Sequence, residues 1–184
     1  MYFLIGIVIF IILIIIGAII IYNSLISLKR RVENAWSQID VQLRRRHDLI
    51  PNLVNAVKGY MKFEKETLTK VIEARAKAIN SSSIQEKAAA EGELSNFLGR
   101  LMAVVESYPE LKASESVAEL MEELKNTENR ISFARQLYND LVTRFNTKIS
   151  IFPHNIIAGI FQFKPFELFK IENEEVKEVP KVEL

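Results

Sequence analysis

The chain has 184 residues, enough for one compact domain and an anchor segment. Its formal net charge is +1, which is not the clearly basic balance of a nucleic-acid-binding protein, so nucleic acid is not an expected partner. It contains no cysteine, which excludes disulfides, cysteine-based zinc sites, iron–sulfur clusters and thiol catalysis.

The N-terminal segment is uncharged as far as Leu28 and almost entirely apolar between Tyr2 and Tyr22. A helix of about 21 residues spans about 31 Å, which matches a bilayer hydrocarbon core of about 30 Å. The two tyrosines flank the run, where aromatic rings can sit at the membrane interface. A signal peptide has a basic start, a shorter apolar stretch and a small-x-small cleavage site, a pattern that this segment does not follow. We therefore expect residues 1–23 to be an uncleaved transmembrane anchor.

Three basic residues, Lys29, Arg30 and Arg31, lie just beyond the apolar run, and no charged side chain precedes it. Positive residues stay on the cytoplasmic side of a membrane. The pattern predicts a single-pass protein of the cell (inner) membrane with its N-terminus outside and its bundle in the cytoplasm. The three charges act either as a topology signal alone, which we favour, or also as contacts to anionic headgroups of the lipid bilayer.

Residues 24–170 are predicted to form a bundle of four helices, because apolar residues recur at helical spacing. The first helix runs from about Ser24 to His47 and continues the anchor, since no Gly or Pro separates them. The second runs from about Pro51 to Ile79, with either a break or a kink at Pro51. The apolar stripe of the first helix consists of Leu25, Leu28, Val32, Ala35, Trp36, Ile39 and Leu43.

Two capping-box patterns, Ser83-x-x-Glu86 and Ser116-x-x-Glu119, predict the starts of the third and fourth helices. The third helix is expected to end at Pro109. A face of small residues on it indicates either the close approach of another helix or tolerated surface glycines. These small residues are Ala88, Gly92, Ser95, Gly99 and Ala103.

The fourth helix has the most regular heptad pattern in the chain, which is typical of coiled-coil-like packing. Phe152-Pro153 ends it. Residues 155–169 are apolar and are predicted to form one or two short helices, with Pro165 at a helix start. This segment is expected to cover one end of the bundle or to meet the membrane surface. The heptad positions are Val117, Leu120, Leu124, Thr127, Ile131, Ala134, Tyr138, Leu141, Phe145 and Ile149.

The C-terminal tail, residues 171–184, is rich in Glu with Lys and Pro and is expected to be disordered. The chain shows no strand pattern and no internal repeat. The predicted fold class is therefore all-α: an N-terminal transmembrane helix followed by an antiparallel up-and-down helical bundle.

Three stretches, Tyr22–Tyr60, Phe97–Lys112 and Asn126–Phe163, closely resemble the LemA family, and the most specific segments are VENAWSQIDVQL and FPHNIIAG. The resemblance implies a single-pass bacterial membrane protein with a cytoplasmic helical bundle and no established catalytic activity. Because relatives include a magnetosome membrane protein, it also implies a role in membrane or envelope organisation. His47 departs from the aromatic residue often found at its position, and we expect little consequence.

Sequence motifs that carry chemistry are absent. Neither His47 nor His154 follows a Glu three residues earlier, so the Glu-x-x-His pattern of di-iron bundles does not occur. HExxH, phosphate-binding glycine loops and the G-x-S-x-G elbow are also missing. We expect no catalytic residue, no metal and no cofactor, and hence a protein that is not an enzyme.

Charged residues inside the resembling stretches are the other candidates. The consecutive arginines 44–46 spread over about 200° of a helix, and Arg46 falls near the buried face. We predict a buried layer that pairs Arg46 or Arg45 with Glu128 and Arg135 with Asp40; the alternative is a solvated charged face. Trp36 is expected in the core rather than at an interface. The full set of candidate structural residues is Trp36, Asp40, Arg44, Arg45, Arg46, Asp48, Pro51, Glu128, Arg130, Arg135, Tyr138, Asn139 and Pro153.

The predicted function is that of a non-enzymatic, membrane-tethered interaction or scaffold module. Its expected partners are the lipid bilayer, other membrane or cytoplasmic proteins, and copies of itself in a homo-oligomer. The expected contact surfaces are the small-residue face of the third helix and the apolar segment after Pro153. The alternative is an accessory or regulatory subunit of a membrane enzyme such as a protease or sensor, which predicts a stoichiometric hetero-complex.

Overall fold

The computed structural model of the protein describes residues 1–60 and 65–171, and within them the chain forms helices and no strand. The predicted all-α fold class is thus confirmed. From residue 172 onward, the tail that we predicted to be disordered lies outside the described residues. The helices are α1 (Tyr2–Val57), α2 (Lys65–Asn80), α3 (Ile84–Glu106), α4 (Pro109–Lys112), α5 (Glu115–Ser150) and α6 (His154–Ile160).

Helix α1 is continuous for 56 residues. It passes Asn23-Ser24 without a break, so the apolar run and the first bundle helix form one element. It also passes Pro51, which lies inside the helix. Of the two alternatives at Pro51, the break is therefore wrong: α1 continues to Val57, and α2 begins at Lys65. A single proline removes one backbone hydrogen bond, and the other bonds of the helix remain in place.

The capping box of α3 is confirmed. The Ser83 hydroxyl accepts a hydrogen bond from the Glu86 backbone N–H at 3.1 Å, and the Glu86 carboxylate accepts one from the Ser83 N–H at 3.3 Å. The corresponding prediction for α5 is wrong, because α5 begins at Glu115 and Ser116 lies inside its first turn. There the Ser116 hydroxyl lies 3.2 Å from that of Ser114, the residue before the helix.

Pro165 does not begin a helix, which corrects another prediction. Residues 163–171 have no regular secondary structure, and the side chain of Asn146 holds this segment. Its amide nitrogen donates to the Phe166 carbonyl at 2.8 Å, and its oxygen accepts from the Phe166 N–H at 2.9 Å. Because α5 supplies a partner for both backbone groups of Phe166, this residue does not need helical hydrogen bonds.

The described chain divides into two compact units. The first unit consists of Met1–Gln38 and Ala134–Leu168. In it α1 and α5 are antiparallel, since Ser24 accepts a hydrogen bond from Lys148 at 2.6 Å and the Trp36 ring lies 5.3 Å from that of Tyr138. A small core between α1 and α6 contains Leu25, Ile157 and Ala158.

The second unit consists of Ile39–Phe133 and the chain from Phe169 onward. Helices α2 and α3 are joined by three residues, which makes them antiparallel neighbours. Helix α3 runs parallel to α1, since Lys87 contacts Asp40 and Glu91 contacts Arg46. The core of this unit is aliphatic and includes Ile50, Leu53, Val57, Val71, Leu94, Leu98, Leu101, Val105, Val117 and Leu124.

Most of the predicted apolar stripes are buried. In α1 these are Leu25, Val32, Ala35, Ile39 and Leu43, and in α5 they include Ile131, Tyr138 and Phe145. The small-residue face of α3 behaves differently at its two glycines. A Cβ at Gly92 would lie 2.7 Å from Cγ2 of Ile171, whereas nothing lies within 4 Å of a Cβ at Gly99. The close approach therefore occurs at Gly92 and comes from the C-terminal segment, and Gly99 is an open surface glycine.

By length and composition, α1 could cross a membrane, and it is the one described helix that meets this test. Every residue of its apolar N-terminal part from Met1 through Ile16 is exposed. A buried core helix of a soluble protein would have the opposite property, because its apolar side chains contact other parts of the chain.

Candidate functional site: a buried arginine–carboxylate network

Arg46 is the centre of a charged network inside the second unit. Its side chain is 1% exposed, although arginine is almost never fully buried unless paired. The guanidinium donates hydrogen bonds to the carboxylates of Glu91 on α3 and Glu128 on α5. It also donates to the Ser95 hydroxyl at 2.7 Å, which in turn donates to Glu128 at 3.0 Å. One guanidinium thus connects α1, α3 and α5.

Glu91 is the most deeply buried member, with a side-chain exposure of 0%. Besides Arg46 it faces His47, whose Nε2 lies 3.0 Å from Oε1 of Glu91. Burial opposes ionisation of this carboxyl group. The adjacent His47 imidazole and the charge of Arg46 nevertheless outweigh burial, so the pKa of Glu91 lies below its ordinary value. Glu91 is therefore an ionised group held between two basic side chains.

Helix α2 joins the network through the backbone of α1. Pro51 has no N–H, so the carbonyl of His47, four residues earlier, loses its helical hydrogen-bond partner. Nε of Arg75 donates to this carbonyl oxygen at 2.6 Å. The proline that we expected to end or kink the helix thus creates an acceptor inside it, and a side chain from the neighbouring helix satisfies that acceptor.

The predicted Arg46–Glu128 pair is present, whereas Glu91, Ser95 and Arg75 were not among the predicted residues. A signal for Glu91 does exist. It precedes the buried residues Leu94, Leu98 and Leu101 at three-four spacing, so it occupies a core position of α3. A charged residue at such a position indicates a buried partner. His47, whose departure from the aromatic residue we expected to have little consequence, lies buried with its Nε2 3.0 Å from Oε1 of Glu91.

Other predicted residues have separate surroundings. Arg45 forms an exposed ion pair with Glu123 at 2.8 Å, so it is not the partner of Glu128. Asp40 pairs with Arg44 at 2.6 Å and with Lys87 at 3.5 Å. Arg135 belongs to the first unit, and its predicted pairing with Asp40 stays a prediction. Exposed positions include Asp48, Arg130 and Pro153, and Asn139 is half-buried.

The basic residues after the apolar run lie on the surface of α1. Lys29 and Arg30 both face Glu33, at 3.9 and 3.0 Å, and Arg31 is exposed. These exposed pairs contribute little to stability because water screens them.

Trp36 is half-buried in the first unit, and its ring lies 5.3 Å from that of Tyr138 at an interplanar angle of 54°. Tyr138 is buried, and its hydroxyl donates to the Glu167 carbonyl at 2.8 Å. Burial, followed by the nearby Glu167 carboxylate, raises the pKa of Tyr138 to about 12. This residue joins α5 to the irregular segment after α6 through a neutral hydroxyl group.

The network has little capacity for chemistry on a ligand. Its buried charges are paired with each other, and the Arg46 guanidinium fills the space between the two carboxylates. Within residues 1–60 and 65–171, no group of three His, Cys, Asp or Glu side chains has an arrangement that could hold a metal ion. The arrangement suits a structural role, since a buried ion pair fixes the register of the helices that contribute to it.

The fold and this network define an all-α helical-bundle protein with a long, exposed apolar helix at its N-terminus. The model of the LemA family matches residues 35–184, and the chain belongs to this family.

Three relatives illustrate the range of similar proteins. Protein LemA of Metamycoplasma hominis is 29% identical over 84% of this chain and 75% of its own length. Magnetosome protein MamQ 2 of Paramagnetospirillum magneticum is 27% identical over 81% of this chain. Magnetosome protein MamQ of Magnetospirillum gryphiswaldense is 26% identical over 80% of it. The chain spans 64% of the length of each of these two magnetosome proteins, which is less than two thirds.

Proposed function

We propose that the protein is a single-pass membrane protein whose helical units form a non-enzymatic scaffold for membrane or envelope organisation. One observation carries this proposal: the buried Arg46 guanidinium is paired with the buried carboxylate of Glu91 and with the half-exposed carboxylate of Glu128. A catalytic site needs titratable groups that can reach a substrate, and this network directs its groups toward other helices. Its outer surfaces are therefore the part of the bundle through which the protein acts.

The surface of the second unit supports this proposal. Phe133 on α5 is 74% exposed, and Val41 on α1 is also exposed. Aromatic side chains are enriched at protein–protein interfaces. The magnetosome proteins among the relatives bear names that connect them with an organelle, and this similarity supports a role in organisation.

The mass of the full-length protein, extracted gently from native membranes, tests the scaffold. A particle that contains several copies of the chain is the expected result. A stoichiometric complex with one other protein would instead support an accessory subunit of a membrane enzyme. A monomer without a partner would contradict both functions.

Photo-crosslinking locates the contact surface. A photoreactive amino acid at Phe133 should link the chain to a second copy in intact cells. Ser132 is a matched control, because it is exposed at the same level of α5 but points about 100° away. Equal crosslinking from both positions would show contact without a specific surface.

The proposed orientation has the N-terminus outside and the bundle in the cytoplasm, because Lys29, Arg30 and Arg31 follow the apolar run. The chain has no cysteine, so one introduced cysteine is a unique label. In intact cells an impermeant maleimide should modify Tyr2→Cys and should not modify Ser132→Cys until the membrane is opened. The reverse pattern would overturn the orientation.

A further inference from the structure

The place of α6 in the first unit points to a second contact with lipid. Ile157 and Ala158, on its inner face, are buried against Leu25 of α1. Ala18 and Tyr22, from the last turns of the apolar run, pack against the same cluster. Helix α6 is thus attached to α1 at the level where the apolar run ends and the polar part begins.

The outer face of α6 and its flanks is apolar and uncovered. The exposed fractions are 78% for Phe152, 52% for Ile156, 67% for Ile160 and 54% for Phe161. These four large apolar side chains are exposed within ten residues, and Ile156 and Ile160 share one face of α6 because they lie four residues apart. Patches of this kind mark contacts with a protein or a membrane.

Aromatic and basic groups at this level match the membrane interface. The Tyr22 ring lies 4.5 Å from that of Phe161 and 6.0 Å from that of Phe163. Lys29 and Lys164 line the groove beside these rings. Aromatic rings favour the headgroup region, and lysines there can reach the phosphates.

We propose that α6, with Phe152 and Phe161, lies in the boundary between headgroups and acyl chains of the bilayer that α1 crosses. The inference rests on the proposed membrane anchoring and adds a second lipid-binding element to it. The bilayer is the occupant because Phe161 lies against Tyr22, at the end of the apolar run of α1. A short helix that is held at this depth with an exposed apolar face buries that face in the interface.

The test uses the full chain in vesicles of phosphatidylcholine and phosphatidylglycerol, with single cysteines that carry an environment-sensitive fluorophore. Ile156→Cys and Ile160→Cys are the test positions, and Ile12→Cys reports on the anchor. Leu137→Cys is the matched control, because Leu137 is an exposed large apolar residue of the same unit, about 20 Å from the end of α5. Brominated lipids serve as quenchers.

The expected result is loss of fluorescence at Ile156 and Ile160 when bromines lie near the headgroups, and at Ile12 when they lie deep. Leu137 should keep its fluorescence in both cases. If Ile156 and Ile160 behave like Leu137 while Ile12 is quenched, α6 does not contact lipid although α1 does. If Ile12 also remains unquenched, the anchoring itself is wrong.

A second copy of the chain is the competing occupant. The labels at Ile156 and Ile160 would then report an environment without water, but brominated lipids would not quench them. This protection from water would decrease as the protein is diluted in lipid. That outcome would overturn the proposal. Circular dichroism of each labelled protein shows whether it has kept its helical fold, and because the labelled side chains are exposed, the fold is expected to persist.

Discussion

Arg75 of α2 donates a hydrogen bond of 2.6 Å to the carbonyl oxygen of His47, the acceptor that Pro51 leaves without a helical partner. The second unit thus contains a proline inside a long helix together with the side chain that compensates for it. Because the compensation comes from another helix, α1 has this hydrogen bond only when α2 is packed against it. The stability of α1 near Pro51 therefore depends on tertiary contact.

Arg75→Ala should lower the free energy of unfolding by about 1–2 kcal/mol, because it leaves a partly buried carbonyl without a donor. In a Pro51→Ala background, where the residue-51 N–H can donate to His47, the same change should cost less. Urea unfolding of the full chain in mild detergent, followed by circular dichroism, measures this double-mutant cycle. Strictly additive losses would show that the two residues do not share the carbonyl.

Glu91→Gln should destabilise the protein far more than Glu128→Gln. Removing one partner of a buried ion pair costs about 3–5 kcal/mol, because the other charge remains buried. Glu128 is 44% exposed, so water can replace its contribution and the expected loss is about 1 kcal/mol. Glu123→Gln breaks the exposed pair with Arg45 and serves as the control, with a loss of about 0–1 kcal/mol. Similar losses for Glu91 and Glu123 would refute the buried network.

Stability should decrease at acidic pH because of Glu91. Its pKa is lower in the folded protein than the ordinary value of 4.5, so the unfolded chain binds the proton more readily. The contribution of Glu91 is complete above pH 4.5 and is lost as the pH falls through the folded pKa. As the pH is lowered from 7, the urea concentration at the midpoint of unfolding should decrease less for Glu91→Gln than for the wild-type chain. Glu119→Gln removes a carboxylate at an exposed position and is the control. If the urea midpoint of Glu91→Gln depends on pH as steeply as that of the wild-type chain, Glu91 is not the cause of the acid sensitivity.

The two glycines of α3 should respond in opposite ways to alanine. Gly99→Ala should stabilise the protein by about 0.5–1 kcal/mol, because alanine favours helix and its Cβ meets nothing within 4 Å. Gly92→Ala should bring a net loss, since the new Cβ would lie 2.7 Å from Cγ2 of Ile171. Thermal unfolding of both variants measures the difference. Adding Ile171→Ala to Gly92→Ala should restore stability. If stability does not recover, the contact with Ile171 is not the cause of the loss.

The sequence identified features that depend on local pattern. The apolar run to Tyr22, the stripe from Leu25 to Leu43 and the α3 capping box at Ser83 follow from spacing and residue type, and each is present in the structure. The capping pattern at Ser116 failed because the neighbouring Ser114 precedes the helix that the structure forms. A motif of two residues does not determine which nearby serine begins a helix.

The network around Arg46 could be predicted only in part from the sequence. Its position on the stripe indicated burial, and Glu128 was a correct partner. Glu91 and Ser95 could not be assigned, because the choice of partner depends on which turns of α1 and α3 lie side by side. Periodicity describes one helix at a time and carries no information on this register.

By itself, the sequence determined the helical class, the apolar N-terminal helix and the faces of the helices that are buried, because these depend on the order of residues along one element. The tertiary structure alone decided that α1 continues through Pro51, that Glu91 is the deepest carboxylate, and that Asn146 holds the segment around Pro165. In each case a side chain from a distant part of the chain satisfies a charge or a backbone group. Such a partner exists only after the helices have packed, so no local pattern can predict it.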